Sequence, residues 1–178
     1  MNLLNKGLFL SAHSDDESLF GAYLIQKEKP LVVVCTDCYT QDNLKIRRDE
    51  SKKAMDILGA DLWFLGIQDD LDIDVYRHLL KKKLLRMEEF DVVYAPNPET
   101  SNKHHKATAE IAKKIFKKVV YYDTYNNSWG TNGLGTCIIP TDEMRELKKQ
   151  AMDCYKSQIE REQTKKHFSE IWNEYVSY

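Results

Sequence analysis

No stretch of this chain approaches the ~20 consecutive apolar residues that a bilayer-spanning helix needs, so a helical membrane protein is excluded. The N-terminus offers one Lys and a short apolar run without a small-residue cleavage site, so no secretory leader is expected and the expected location is the cytoplasm. A charge excess is missing too. Lys and Arg number 26 against 28 Asp and Glu, a formal net charge of −2, which removes any bulk attraction to nucleic acid or an anionic membrane. Basic residues do cluster at 45–53, 81–83 and 113–118, but within helical patterns, where they read as solvated faces. No G-x-G-x-x-G follows the first apolar run, and carboxylates stand where a pyrophosphate would need backbone amides, which argues against a dinucleotide site. Cys35 and Cys38 form one C-x-x-C, but Cys137 and Cys154 supply no second close pair, so a four-thiolate zinc site is not expected. The cysteines read as structural thiols, Cys35 within a buried strand. Repeats, low-complexity tracts and linkers are absent.

What is present is alternation. Residues 8–12, 31–36, 61–65, 91–95 and 119–123 read as short apolar strands, and residues 18–27, 44–58, 73–89 and 105–118 as the helices between them. Gly59 stands just past a helix end, where a left-handed residue is wanted. Strict β–α alternation predicts a parallel sheet with helices on both faces. Residues 125–135 carry loop chemistry around Trp129, either a packing anchor or a site wall. Residues 136–139 read as a last strand, and Thr141 as the cap of a helix over 142–166. The length suits one domain spanning residues 1–178.

The densest chemistry lies where the first strand ends. Leu8-Phe9-Leu10-Ser11-Ala12 runs into His13-Ser14-Asp15-Asp16-Glu17, at the C-terminal end of a parallel strand, where open α/β sheets bind ligands. Acids at a helix start are ordinary caps. Capping needs one such residue, however, and leaves a histidine and an adjacent acid unexplained. His13 and a carboxylate two or three residues on suit one divalent cation, and the remaining carboxylate is then free to act as a base. A third ligand should follow another strand. His104 and His105 do so after residues 91–95, giving a three-ligand site with room for water, the layout of catalytic zinc. The alternative for both histidines is a polar helix start. His78 and His167 lie in charged helical stretches and read as surface residues.

Ala12-His13-Ser14-Asp15-Asp16-Glu17 resembles the A-H-P-D-D-E signature of the PIG-L/LmbE-type zinc-dependent N-acetylglucosaminyl deacetylases. The likeness continues in order through Arg47, Glu50, Ala54 and Leu58-Gly59, through Phe64-Leu65-Gly66 with Asp69, through 91–96 followed by His105-Lys106-Ala107, and through Ala151, Tyr155 and Ser157-Gln158. The resemblance implies a Rossmann-like α/β fold, here with about five to six strands. It implies hydrolytic removal of an N-acyl (acetyl) group from a small amino-sugar, GlcNAc-like conjugate, with one Zn²⁺ or another divalent metal per chain. Carried over, His13, Asp16 and His105 are the metal ligands and Asp15 is the general base on zinc-activated water. Arg47 and Asp69 lie near substrate hydroxyls or form an ion pair. The departures are Ser14 in place of the signature proline, Cys38 in place of a glycine, Asn102 in place of an oxyanion-side histidine, and His104 in place of the acid before the zinc histidine. Either His104 acts as the acid or Asn102 donates a neutral hydrogen bond. The alternative is a weak or inactive metal- or sugar-binding member of the same fold.

Overall fold

The computed structural model describes residues 7–38, 40–124, 135–161 and 173–177. Its elements in chain order are β1 (Leu8–Ser11), α1 (Asp16–Phe20), α2 (Ala22–Glu28), β2 (Leu31–Asp37), α3 (Gln41–Leu58), β3 (Leu62–Gln68) and α4 (Ile73–Leu84), with a single 3₁₀ turn at Leu85–Met87. Then follow β4 (Val93–Pro96), α5 (Lys103–Ile115), β5 (Val119–Tyr122), β6 (Thr136–Ile138), α6 (Asp142–Met152), α7 (Lys156–Ile159) and β7 (Glu174–Ser177).

The strands form one sheet in the order β3-β2-β1-β4-β5-β7-β6. The first five are parallel, with Leu8 paired to Leu31 on one side and Val93 on the other, while β7 runs antiparallel to both β5 and β6. The sheet therefore has seven strands, not five to six. The unpredicted strand is β7, four residues beyond a charged helical pattern, whose first residue is a buried glutamate rather than an apolar one.

Both faces are covered, which is why Leu8–Leu10 of β1 and Leu31–Cys35 of β2 are continuous apolar runs and every residue of the two strands is buried. On one face Leu8, Leu10, Val33 and Val93 meet α4 and α5 through Tyr76, Leu80, Ala107 and Ile111. On the other, Phe9, Val32 and Val120 meet α1, α2, α3 and α6 through Leu19, Ile25, Met55 and Met152.

The helix expected over 18–27 is two helices. They break at Gly21, where the backbone lies so close to β1 that a Cβ would stand 2.3 Å from Phe9 Cζ. Gly59 ends α3 in the left-handed conformation (φ 66°), as expected from Leu58-Gly59. Thr141 caps α6 by accepting from Met144 N–H, but that helix stops at Met152 and the chain turns before α7. Trp129 and His167 lie outside the described residues, and His78 is exposed. Arg47 departs from the solvated-face expectation for its cluster, being buried while Lys45, Lys52 and Lys53 are exposed. Among the described residues no helix is long and apolar enough to cross a membrane.

A buried ion pair fastens β7. Glu174 accepts from Lys148 Nζ (2.8 Å) and from the backbone N–H groups of Tyr23 and Leu24, at the start of α2. Lys148 donates as well to Leu19 O. Each charge is thus hydrogen-bonded as well as paired, the condition under which burial is tolerated.

Candidate active site

The chain leaves β1 toward β2 and β3, then crosses back to β4 on the other side of β1. This reversal opens a crevice between the C-terminal ends of β1 and β4. The turn after β1 brings His13 and Asp16 there, and the loop after β4 brings the first turn of α5, with His104 and His105.

The turn is held mainly by its own side chains. His13 N–H donates to Asp16 Oδ2 (2.8 Å), and Asp15 N–H donates to Glu17 Oε2 (3.1 Å). Ser11 Oγ lies 2.6 Å from His13 O and 2.8 Å from Glu17 Oε2. Tyr155, from the far end of the chain, donates its hydroxyl to Glu17 Oε1. Asp15 consequently holds φ 117°, a strained value for a residue with a Cβ. Ser14 O accepts from Arg47, whose Nη2 also lies 3.3 Å from Asp15 Oδ2.

Three donor atoms converge. His13 Nδ1 stands 3.2 Å from His105 Nε2 and 3.4 Å from Asp16 Oδ2, and His105 Nε2 stands 3.0 Å from Asp16 Oδ2. Tetrahedral zinc with bonds of about 2.0–2.1 Å separates its ligand atoms by about 3.3 Å, so the donor set fits such a cation in chemistry and spacing. Among the described residues this is the group of His, Cys, Asp and Glu side chains able to hold a metal ion.

The two adjacent acids differ in character. Burial alone would raise the pKa of Asp16, but His105 beside it and hydrogen bonds from His105 and His13 outweigh that and hold it well below the usual carboxylate range. Asp15 is pushed up to about 7, chiefly by burial; Arg47 opposes the rise, and the charges of Asp16 and Glu17 add to it. A carboxylate poised there is suited to take a proton near neutral pH.

A cavity of about 200 Å³ opens over this group, lined by His13, Asp15, Arg47, Asp69 and Asn102 of the sequence-identified residues. Among the described residues Asp69 forms no ion pair with Arg47, which lies on Asp15 instead; the backbone N–H of Asp69 donates to Asp37 O. Asn102 is the N-cap of α5, its Oδ1 accepting from the N–H groups of His104 (3.0 Å) and His105 (3.3 Å). With Oδ1 so engaged, the amide Nδ2 is the part left to meet a ligand. His104 does not line the cavity. It is buried behind His13, and its pKa is lowered to about 4, by burial first and then by His13, Lys103 and His105, which leaves it uncharged at neutral pH.

Ser14, Thr36, Cys38, Gln158 and Arg161 complete the wall. Thr36 and Cys38 were findable from their place at the end of β2, and Gln158 from its family-like Ser-Gln segment. Arg161 carries no signal in the sequence. Cys35 is buried in β2 with its thiol pKa raised by burial, away from the wall that Cys38 joins. A larger, more apolar hollow of about 1000 Å³, lined by Leu24, Val92, Val120 and Leu147 among others, is reached by none of His13, Asp16 and His105.

A doubly wound α/β sheet with a three-donor group at its switch point defines the class: a Rossmann-like fold in which His13, Asp16 and His105 fit a cation and the Asp15 carboxylate lies beside them. The family model of the GlcNAc-PI de-N-acetylases, PIG-L, matches residues 8–116, and the chain belongs to that family. Among solved structures, the A40926 pseudoaglycone deacetylase Dbv21 matches with a TM-score of 0.73 at 16% identity, covering 97% of this chain and 96% of that one. The N,N'-diacetylchitobiose deacetylase of Pyrococcus horikoshii matches with a TM-score of 0.65 at 22% identity, covering 86% and 70%. GalB, a 4-carboxy-2-hydroxymuconate hydratase from Pseudomonas putida KT2440, reaches 0.66 at 16% identity, covering 97% and 95%. At these identities the likeness is one of fold. A comparison with curated proteins finds no match.

Proposed function

We propose that residues 1–178 form one deacetylase domain that removes an N-acetyl group from a small amino-sugar conjugate. His13, Asp16 and His105 would hold one Zn²⁺ and Asp15 would serve as general base. The observation that carries the reading is the donor triangle of 3.0, 3.2 and 3.4 Å beside a carboxylate lifted to about 7. Family membership and a deacetylase neighbour that acts on a diacetylated sugar support the substrate class.

Zinc, when bound, supplies polarisation of the amide carbonyl and acidification of water. The chain's residues do the rest. Asp15 takes the proton of the attacking water on its carboxylate and returns it to the leaving amine. Its strained backbone aims it, and Arg47 keeps it turned toward Ser14 and the cavity. Asn102 Nδ2 donates to the carbonyl oxygen as negative charge grows there. Arg47 and Asp69, on the cavity wall, meet the polar groups of the sugar.

Metal analysis of the purified chain should find about one zinc, and an N-acetyl amino-sugar panel should yield acetate. Asp15→Asn should lower the rate about 10²–10⁴-fold while zinc stays bound. Full activity in that variant would refute the base assignment. Asn102 favours a second reading, a binding member with little turnover; zinc binding without acetate release from any substrate of the panel would select it.

A further inference from the structure

His104 is buried behind His13, with its Nδ1 3.0 Å from His13 Nε2. Its ring centroid lies 4.8 Å from that of Tyr76, with the planes at 55°. Tyr76 is itself fixed from below by a 2.8 Å hydrogen bond with Thr108. The His104 backbone is pinned by Asn102 at the start of α5. Among the described residues, His13 is the side chain that hydrogen-bonds the His104 ring, and His104 Nε2 is buried without a partner.

The opposite nitrogen of His13, Nδ1, is the one that faces Asp16 and His105. A histidine holds a cation through a lone pair, so binding at Nδ1 sends the ring proton of His13 to Nε2. The atom facing Nε2 must then accept, and an imidazole accepting at Nδ1 carries its own proton on Nε2. We propose that His104 is a positioning residue that fixes the tautomer and ring orientation of His13 toward a divalent cation. The proposal rests on the metal reading above. It gives His104 a task other than proton donation to substrate, which suits a ring that does not reach the cavity. It also means that His13 leans on a neutral acceptor, where histidine ligands commonly lean on a carboxylate, backbone carbonyl or water.

The test is Zn²⁺ affinity of the full chain, measured by competition with a chromogenic chelator. His104→Leu removes the acceptor and should weaken binding about 10–100-fold. His104→Asn returns a carbonyl oxygen close to where Nδ1 stands and should recover most of the loss. An unchanged constant for His104→Leu, or His104→Asn no better than His104→Leu, would overturn the proposal. Should the leucine variant fail to fold, long-range ¹H–¹⁵N spectra of the zinc-loaded native chain decide. Protons on Nε2 of both His13 and His104 are expected, and a proton on His104 Nδ1 overturns it. A native chain that binds no Zn²⁺ would sink the metal reading and this one with it, whereas tight native binding with an indifferent His104→Leu sinks this one alone.

Discussion

The two segments that meet at the site hold their side chains by opposite means. The turn after β1 is acidic, and largely bonded to itself. Its three carboxylates are buried within three residues, and its central residue sits at φ 117°. The start of α5 carries no acid and is regular; one asparagine caps a helix, and the helix sets both histidines. The difference is one of task. A proton-handling group needs a shifted pKa, and that takes crowding and burial. A ligand and a donor need direction, which ordinary helix geometry supplies. Strain is found in the half that carries the proposed base, at Asp15.

Substitutions at three positions probe that contrast. The largest effect is expected from the acidic half. Asp16→Ala leaves two histidines, fewer than the three protein ligands of a catalytic zinc site, so the dialysed variant should retain no zinc and release no acetate. Next comes the helical half. Asn102→Asp keeps a good cap but loses the amide donor, so melting temperature should hold while the rate falls about 10²–10³-fold. Asn102→Ala should lose the same rate and also about 0.5–2 kcal/mol of stability. Retention of full rate by the aspartate variant would reduce Asn102 to a cap, and the contrast would dissolve.

The last effect is read in stability rather than in rate. Asp15 titrates near 7 when folded against 3.8 as a free side chain, so between those values the folded state binds the extra proton. Its contribution to stability is complete below about pH 4 and is lost as pH rises through about 7. In thermal melts of the metal-free chain, Asp15→Asn should therefore gain on the native sequence as pH rises from 4 to 7, and the gap should stay constant above. A gap independent of pH would show that the turn does not lift Asp15.

Much of this was legible in the chain because apolar runs and acidic clusters are local signals. Leu31 to Val34 declares a strand buried on both faces, and His13 to Glu17 declares a polar strand end. What escaped depends on approach between distant residues. Nothing in Ser18–Lys27 reveals that Gly21 presses on Phe9, and periodicity alone draws one helix there. Adjacent histidines look alike in sequence. Only the start of α5, set by Asn102, turns His105 toward Asp16 and His104 behind His13. The strand β7 was hidden because its stability comes from Lys148 and from the amides of α2, not from an apolar pattern of its own.

The position of β7 also orders assembly in time. The five parallel strands are complete by Tyr122, so a growing chain holds His13, Asp15, Asp16 and His105 before β6 and β7 appear, while Tyr155, Gln158 and Arg161 join the site later. Among the described residues strand β6 pairs with β7 alone, and β7 inserts between it and β5. Until Glu174–Ser177 emerge, β6 has no neighbour to join and β5 presents an open edge, a surface that invites pairing with other chains. Synthesis from N- to C-terminus thus forms the parallel part of the sheet first and adds its antiparallel edge later, with Lys148 already in place for Glu174.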